Sequence, residues 1–194
     1  MFQVRIHGRG GQGVVTAAEL LAQAAFTEGD FAQAFPSFGS ERTGAPVVAF
    51  ARISNIPIRV REPVMIPNAL IVQDETLLEV IDVFSGLAAD GYVIINSTKT
   101  FDQLGIGQYS HARTHFMTVP ATQIALEHLG RPVPNAVLLG AFAALTDVVS
   151  LKSVNGAIAE RFNAKLAAGN SAAASAAFEY VKAHLKEITE SANA

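Results

Sequence analysis

The stretch that decides the fold lies near the N-terminus, where residues 2–18 read FQVRIHGRGGQGVVTAA. Residues 2–7 alternate apolar and polar side chains, which is the pattern of a β-strand with one apolar face. Gly8 to Gly13 match the pattern G-x-G-x-x-G, and apolar residues then recur at helical spacing from Val14 to Ala25. We therefore predict a strand, a glycine-rich loop and a helix, with Gly29 just past the end of that helix.

The glycine-rich loop is the first candidate site. Glycine permits a tight turn, a close approach of ligand to backbone, and close packing of helix on strand. The N–H groups at the start of a helix favour a phosphate or a carboxylate. A structural turn is the alternative. The candidate residues, for binding a ligand or an interface, are Gly8, Arg9, Gly10, Gly11, Gln12 and Gly13.

Two observations weaken the prediction of a self-contained NAD(P)-binding protein, although they leave it open. The acidic residue that normally holds the ribose is missing from residues 35–38, and Glu28 and Asp30 precede the second strand. The first strand also carries polar residues on one face, including Arg5 and His7. We expect that face to meet solvent or a partner. His7 could contact an anion or act as a base, or simply end the strand.

The rest of the chain predicts an α/β fold in one domain, residues 1–194, that is Rossmann-like and doubly wound. Its sheet is expected to be mostly parallel, with an antiparallel excursion and a helical C-terminal third. The other strands are predicted at residues 31–36, 47–53, 58–61, 69–72, 92–95 and 115–119. Further helices are predicted at residues 75–88, 122–128, 135–149, 153–167 and 171–188, the last three capped by Asn135, Ser153 and Ser171.

Some of these elements have predicted surroundings. The two strands at 47–53 and 58–61 are expected to pair antiparallel, with 58–61 at an edge. The strands at 69–72 and 92–95 are continuously apolar and are expected to be central and buried on both faces.

Composition excludes several classes of function. Half of the 194 residues are hydrophobic, 16% are charged, and there is no cysteine. The chain therefore has no thiolate for catalysis or for an iron–sulfur cluster, and we predict no metal site. A net charge of −3 does not suggest nucleic acid as a partner. No apolar run reaches the roughly 20 residues of a membrane span, and the start lacks a signal-peptide pattern, so we expect a cytoplasmic protein without membrane contact.

A second polar loop, residues 36–44, is the other candidate site. Its candidate residues for binding a ligand or a neighbouring subunit are Ser40, Glu41, Arg42 and Gly44. A solvated loop is the alternative. Neither serine of the loop lies in a G-x-S-x-G pattern, so hydrolase chemistry is not supported.

With these residues identified, the chain resembles the gamma subunits of the 2-oxoacid:ferredoxin oxidoreductases. Residues 4–18 are similar to the N-terminal signature of that family, a doubled glycine followed by Gln12 and by a glycine that opens the helix. Residues 38–46 are similar to its second signature, an aromatic–glycine pair followed by an acidic–Arg–x–Gly run. The resemblance continues through Ile71-Val72, residues 92–96 and Pro134-Asn135, and covers about residues 1–165.

The resemblance implies a subunit of a larger enzyme. Such enzymes decarboxylate a 2-oxo acid oxidatively, form acyl-CoA, and reduce ferredoxin or flavodoxin. Thiamine diphosphate and [4Fe-4S] clusters are expected on the alpha, beta and ferredoxin-like delta subunits, with coenzyme A as co-substrate. The resemblance transfers no catalytic residue to this chain. The expected substrate is pyruvate, while branched-chain 2-oxo acids, 2-oxoglutarate and indolepyruvate stay open, as does a ligand-free interaction module.

Overall fold

The fold is built on one mixed sheet. A computed structural model describes residues 1–37, 44–112 and 114–192. Within them the strands follow the order β2-β3-β1-β4-β5-β6. They are β1 (Phe2–Arg9), β2 (Phe31–Pro36), β3 (Pro46–Ser54), β4 (Ala69–Val72), β5 (Tyr92–Asn96) and β6 (Phe116–Val119). The pairs β1–β4, β4–β5 and β5–β6 are parallel, whereas β3 runs antiparallel to both β1 and β2.

The described residues form five α-helices. They are α1 (Val14–Thr27), α2 (Ala121–Leu129), α3 (Asn135–Thr146), α4 (Leu151–Arg161) and α5 (Ala164–Ala192). Of these, α1, α3 and α5 contact the strands, while α2 and α4 pack on other helices. The larger hydrophobic core contains residues from all five and lies against the sheet face that carries Val4 and Ile6. A smaller core lies on the other face, around Leu70, Val72 and Val93. The predicted fold class, with its antiparallel excursion and helical C-terminal third, is confirmed.

The second face is covered differently. Two 3-10 turns, Glu75–Glu79 and Gly107–Ala112, and the segments between strands lie there. No helix within the described ranges is long and apolar enough to cross a membrane.

The C-terminal helices begin and end at other residues than predicted. Ser150 caps α4, because its side chain accepts a hydrogen bond from the Ser153 N–H, so Ser153 lies inside the helix. The helix predicted at 153–167 also ends earlier, at Arg161. The next helix, α5, starts at Ala164, and Asn163 Oδ1 accepts a hydrogen bond from the Leu166 N–H in its first turn. Ser171 consequently lies within α5 and does not cap it.

The start and end of α3 also differ from the prediction. Pro134, and not Asn135, is the residue that precedes the helix, so Asn135 does not cap it. Its amide group instead accepts from the Ala136 N–H and lies near the Gly13 carbonyl. The helix ends at Thr146, since Asp147 takes the left-handed conformation, with φ of 52°.

The helices α3 and α5 approach each other closely at Gly140. A Cβ at this position would overlap the carbonyl oxygen of Ala174. Gly156 in α4 offers a contrast, because nothing lies within 4 Å of its Cβ position. The two glycines have the same helical backbone but opposite surroundings.

We predict opposite effects for the same substitution at these two sites. Gly140→Ala should lower the free energy of unfolding by about 1–3 kcal/mol, because the methyl group forces the two helices apart. Gly156→Ala should raise it by about 0.5–1 kcal/mol, since alanine favours the helix more than glycine does. Urea denaturation of both variants measures the difference. Equal effects would contradict the close approach.

On the second face, two of the predicted elements do not form. Arginine side chains donate hydrogen bonds to backbone carbonyls of both segments. Residues 58–61 form no strand, since β1 and β2 already occupy both edges of β3. Arg52 instead donates to the carbonyls of Val60 and Glu62. Residues 75–88 form only a short 3-10 turn and further turns, and Arg5 donates to the carbonyls of Val83 (3.0 Å) and Ser85.

The polar face of β1 is buried within the chain, so the expectation that it meets solvent or a partner is wrong. Arg5 is 8% exposed and His7 is 5% exposed. Arg5 Nε donates to His7 Nε2 over 3.1 Å, which requires a neutral imidazole with its proton on Nδ1. Burial, and next the charge of Arg5, lower the pKa of His7 to about 4. His7 is thus a neutral acceptor for a buried guanidinium.

We predict that His7 makes the folded chain sensitive to acid. Histidine in the unfolded chain has a pKa near 6.5, so between pH 7 and pH 4 the unfolded state takes up a proton that the folded state refuses. Stability is therefore complete above about pH 6.5 and falls with the pH, by about 3 kcal/mol at pH 4. His7→Gln keeps an acceptor but cannot be protonated. Urea unfolding of both proteins at pH 7 and pH 4 should show that the variant loses less stability; parallel losses would contradict it.

Candidate functional site

The glycine loop is fixed by steric contacts. A Cβ on Gly8 would come within 2.5 Å of Val14 Cγ2, so glycine lets α1 pack directly on the end of β1. Gly11 and Gly13 have φ values of +95° and +71°, in the left-handed region that glycine adopts without strain. Gly13 is the residue before α1, and it has no side chain with which to cap that helix.

A carboxylate holds this loop against the end of β4. Asp74 Oδ2 accepts from Gln12 Nε2 (2.9 Å) and Arg9 Nε (3.2 Å), while Oδ1 accepts from the N–H (3.0 Å) and hydroxyl (2.6 Å) of Thr76. Gln12 closes the loop on itself, because its Oε1 accepts from the Arg9 N–H over 2.7 Å. We call these four residues the Asp74 cluster. It connects the first and second parallel strands of the sheet.

The charge state of the cluster follows from its contacts. Partial burial would raise the pKa of Asp74, but hydrogen bonds from Thr76 and Gln12 and the charge of Arg9 together lower it. The carboxylate is therefore ionised at neutral pH and forms an ion pair with Arg9. Arg9 also donates to the Gly44 carbonyl over 3.1 Å. Its guanidinium is committed to these groups rather than standing free over a ligand.

Part of the second candidate loop lies beside the glycine loop. The Gly10 N–H donates to the Ala45 carbonyl (2.9 Å), and the Gly44 N–H donates to the Gly10 carbonyl (3.2 Å). The structure thus brings Gly44 to the glycine loop. Ser40, Glu41 and Arg42 lie outside the described residues.

A cavity of about 310 Å³ opens where α1 begins, and we call it the α1 hollow. It is lined by Arg9, Gly10, Gly11, Gly13, Val14, Val15, Thr16 and Val47. The first N–H groups of a helix have no partner within the helix, so this hollow offers backbone donors and a partial positive charge. Such an environment favours an anionic group.

A larger cavity of about 530 Å³, the polar crevice, lies at the other side of Gln12. It is formed where the parallel strands end, which is the usual place for ligands in open α/β sheets. Its lining includes Gln12, Gln73, Asp74, Glu75, Asn96, Ser97, Thr122 and Gln123. Asn96 is held by Thr122 and by the Gln73 carbonyl. Gln73 is 1% exposed, and neither of its side-chain amide atoms has a hydrogen-bond partner among the described residues.

The polar crevice is electrically balanced. The carboxylates of Asp74 and Glu75 are paired with Arg9 and Lys99. Burial would raise the pKa of Glu75, but hydrogen bonds from Lys99 and Ser97 lower it. The residues that line the crevice include no histidine. It can therefore bind polar groups. The Ser97 hydroxyl donates to the Glu75 carboxylate, which also forms an ion pair with Lys99.

Comparison with known proteins adds the deciding observation. The sequence model of the family described as "Pyruvate ferredoxin/flavodoxin oxidoreductase" matches residues 3–180. The chain belongs to this family.

Oxidoreductase subunits of the family are similar to the chain over nearly their whole length. A "Pyruvate synthase subunit PorC" of Methanothermobacter marburgensis is 51% identical over 182 residues, 94% of this chain and 98% of that protein. A "Pyruvate/ketoisovalerate oxidoreductases common subunit gamma" of Pyrococcus abyssi is 47% identical over 179 residues, 92% of this chain and 96% of that protein. The crystal structure of pyruvate oxidoreductase subunit PORC from Thermotoga maritima superposes with a TM-score of 0.76 at 35% identity, covering 92% and 95% of the two chains. The resemblance inferred from the two signatures is confirmed.

The structure of this family member differs from a dinucleotide-binding site in one respect. In such sites the strand that carries the ribose acid lies directly beside β1. Here β3 occupies that position and runs in the opposite direction. Glu28, at the sequence spacing of the ribose acid, instead accepts hydrogen bonds from Ser150 and Ser153.

Sequence reasoning missed the residues that complete the site, namely Gln73, Asp74, Glu75, Asn96, Ser97, Thr122 and Gln123. A signal was present, because Gln73 and Asp74 directly follow one short apolar strand and Asn96 ends the next. The carboxyl ends of parallel strands meet at one edge of a sheet, so polar residues there gather in one place.

We predict that Asp74→Asn loosens the glycine loop. An amide presents oxygen to only one side, so either Thr76 or the pair of Gln12 and Arg9 loses its acceptor. The free energy of unfolding should fall by about 1–3 kcal/mol, and the amide protons of residues 9–13 should exchange faster. Asp82→Asn is the control for exchange at residues 9–13, because Asp82 accepts from the Phe84 N–H and its charge acts on Arg5, not on the glycine loop. Unchanged exchange at residues 9–13 in Asp74→Asn would contradict the role of the cluster.

Proposed function

We propose that the chain is the gamma subunit of a 2-oxoacid:ferredoxin oxidoreductase, with pyruvate as the 2-oxo acid, and that residues 1–194 form one gamma-type domain. The observation that carries this proposal is the near full-length similarity to subunits named for pyruvate synthase and for pyruvate/ketoisovalerate oxidoreductases. The enzyme would convert pyruvate and coenzyme A to acetyl-CoA and CO2 and pass the electrons to ferredoxin or flavodoxin in the cytoplasm.

The chemistry of that reaction belongs to partner subunits in this proposal. Thiamine diphosphate supplies the chemistry of decarboxylation, and [4Fe-4S] clusters carry the electrons; both are assigned to the alpha, beta and ferredoxin-like delta subunits. This chain has no cysteine with which to hold such a cluster. In this proposal its own part is assembly of the enzyme and the binding of a co-substrate.

We further propose that the glycine loop binds a phosphate group of coenzyme A. Support comes from the α1 hollow, where Gly11 has nothing within 4 Å of its Cβ position and the start of α1 is preceded by Gly13, which has no side chain to cap it. The polar crevice across Gln12 is uncharged overall, which suits the neutral parts of the same ligand.

The first test of the proposal is co-purification. The chain, expressed with the alpha, beta and delta genes of its own operon or genome, should elute with them as one complex that reduces ferredoxin when given pyruvate and coenzyme A. A chain that elutes alone as a monomer, or is stabilised by NAD(P) in thermal unfolding, would contradict the assignment.

We predict that Gly11→Asp in the assembled complex raises the KM for coenzyme A about tenfold or more, because a carboxylate beside the α1 hollow repels a phosphate. Gly11→Asn is the matched control, since it has the same shape and the same strained backbone but no charge. Steady-state kinetics with coenzyme A varied measures both. Equal KM values for the two variants would leave the subunit role intact but exclude phosphate binding in the hollow.

A further inference from the structure

The second face of the sheet is crossed by one irregular segment, residues 55–66, which we call the cross-sheet segment. Gln33, Arg52 and Gln3 are register partners on β2, β3 and β1 and form one row across three strands. The side chains of this row donate to carbonyls of the segment in sequence order, Gln33 to Ile58, Arg52 to Val60 and Glu62, and Gln3 to Ile66. The segment is thereby fixed across about 10 Å of sheet without forming a strand.

The outer side of the cross-sheet segment is apolar and exposed. Its exposed apolar residues are Ile56 (65%), Val60 (42%), Met65 (71%) and Ile66 (64%). Phe31, exposed by 45%, lies at the adjacent edge of the sheet, because it is the register partner of Ser54. Large apolar side chains gathered on one fixed surface mark an interaction site more often than scattered ones do.

The same surface is positively charged in an acidic protein. Arg59 and Arg61 are exposed, and neither takes part in an ion pair within the part of the chain that the structure describes. Arg52 is buried directly beneath, and Glu62 is the single acidic residue of the segment. The chain as a whole has a net charge of −3. A complementary surface is therefore apolar and acidic.

We propose that the cross-sheet segment, together with Phe31, docks on an acidic, apolar surface of a partner subunit. The proposal rests on the subunit role proposed above. A second copy of this chain fits less well, because a twofold interface would bring Arg59 and Arg61 towards the same residues of the other copy. An anionic membrane fits less well too, since lipid-binding clusters hold about four to eight basic residues.

Competition for assembly tests this surface. Wild-type and variant chains are co-expressed in equal amounts with the partner subunits, the complex is purified through a tag on a partner, and mass spectrometry gives the ratio of the two chains. Two variants disrupt the surface, Ile56→Asp and the double variant Arg59→Glu/Arg61→Glu. We expect the incorporated ratio of variant to wild type to fall about tenfold for each.

Matched control variants make the same kinds of substitution at exposed positions outside the cross-sheet segment. Leu126→Asp places a charge on an exposed apolar position of α2, and Lys152→Glu/Lys165→Glu makes the same change of net charge on α4 and α5. Both should be incorporated like the wild type. Arg59→Lys/Arg61→Lys keeps the charges and should be incorporated within about threefold of the wild type. Urea unfolding of the purified variants separates lost docking from lost folding.

The outcomes are distinct. Full incorporation of both disrupting variants, with the wild type present in the complex, overturns the docking surface but not the subunit role. Absence of the wild type from the complex overturns both. If the wild type is a dimer that Ile56→Asp converts to a monomer without loss of incorporation, the surface binds a second copy instead. If the wild type binds phosphatidylserine vesicles and only Arg59→Glu/Arg61→Glu abolishes that binding, the surface binds a membrane. Either result overturns the proposal.

Discussion

Two buried guanidinium groups, those of Arg5 and Arg52, hold the second face of the sheet together. Neither has a carboxylate within ion-pair distance among the described residues. Both instead donate hydrogen bonds to backbone carbonyls and to one neutral side chain, His7 for Arg5 and Gln3 for Arg52. A buried cation is tolerated only when its donors are satisfied. The irregular segments that supply these carbonyls are therefore fixed in place. The cover of this face, which consists of irregular segments and 3-10 turns, depends on that arrangement.

On the side where the parallel strands end, the Asp74 carboxylate has a comparable role. It accepts from the glycine loop on one oxygen and caps the following 3-10 turn with the other. The loop is consequently attached to β4 as well as to the strand and helix that it joins. Gln12 lines the polar crevice, between paired carboxylates and amides, whereas the glycines on either side of it line the α1 hollow at the start of the helix.

The two faces of the molecule thus suit different tasks within a multi-subunit enzyme. The cavities at the strand ends are polar and lined in part by glycine, as the proposed binding of coenzyme A requires. The cross-sheet segment is apolar and basic on its outer side, as the proposed docking on a partner subunit requires. The chain has the structural features of a subunit that binds and positions, and its sequence contains no cysteine for electron transfer.

The sequence alone determined the strand–loop–helix at the N-terminus, the buried parallel strands and the family. Each of these follows from local pattern, namely the alternation in residues 2–7, the spacing of Gly8 to Gly13, and the apolar runs at 69–72 and 92–95. The two signatures then specified the family, because two motifs at the expected separation identify a family far more specifically than one glycine loop does.

Tertiary structure decided what covers the sheet and which residues complete the site. Residues 58–61 and 75–88 have patterns of strand and helix, but these patterns do not show which side chains will bind the backbone carbonyls of the two segments. The donor to the Val83 carbonyl is Arg5, 78 residues away, and the donor to the Val60 carbonyl is Arg52, from the neighbouring strand β3. The helix predicted to begin at Ser153 begins after Ser150 instead, and Glu28, the residue that follows α1, accepts hydrogen bonds from both serine hydroxyls. Asp74 and Gln73 joined the site only because parallel strands bring their carboxyl ends to one edge. These features depend on contacts such as those from Arg5 to Val83 and from Gln12 to Asp74, which form only when the chain is folded.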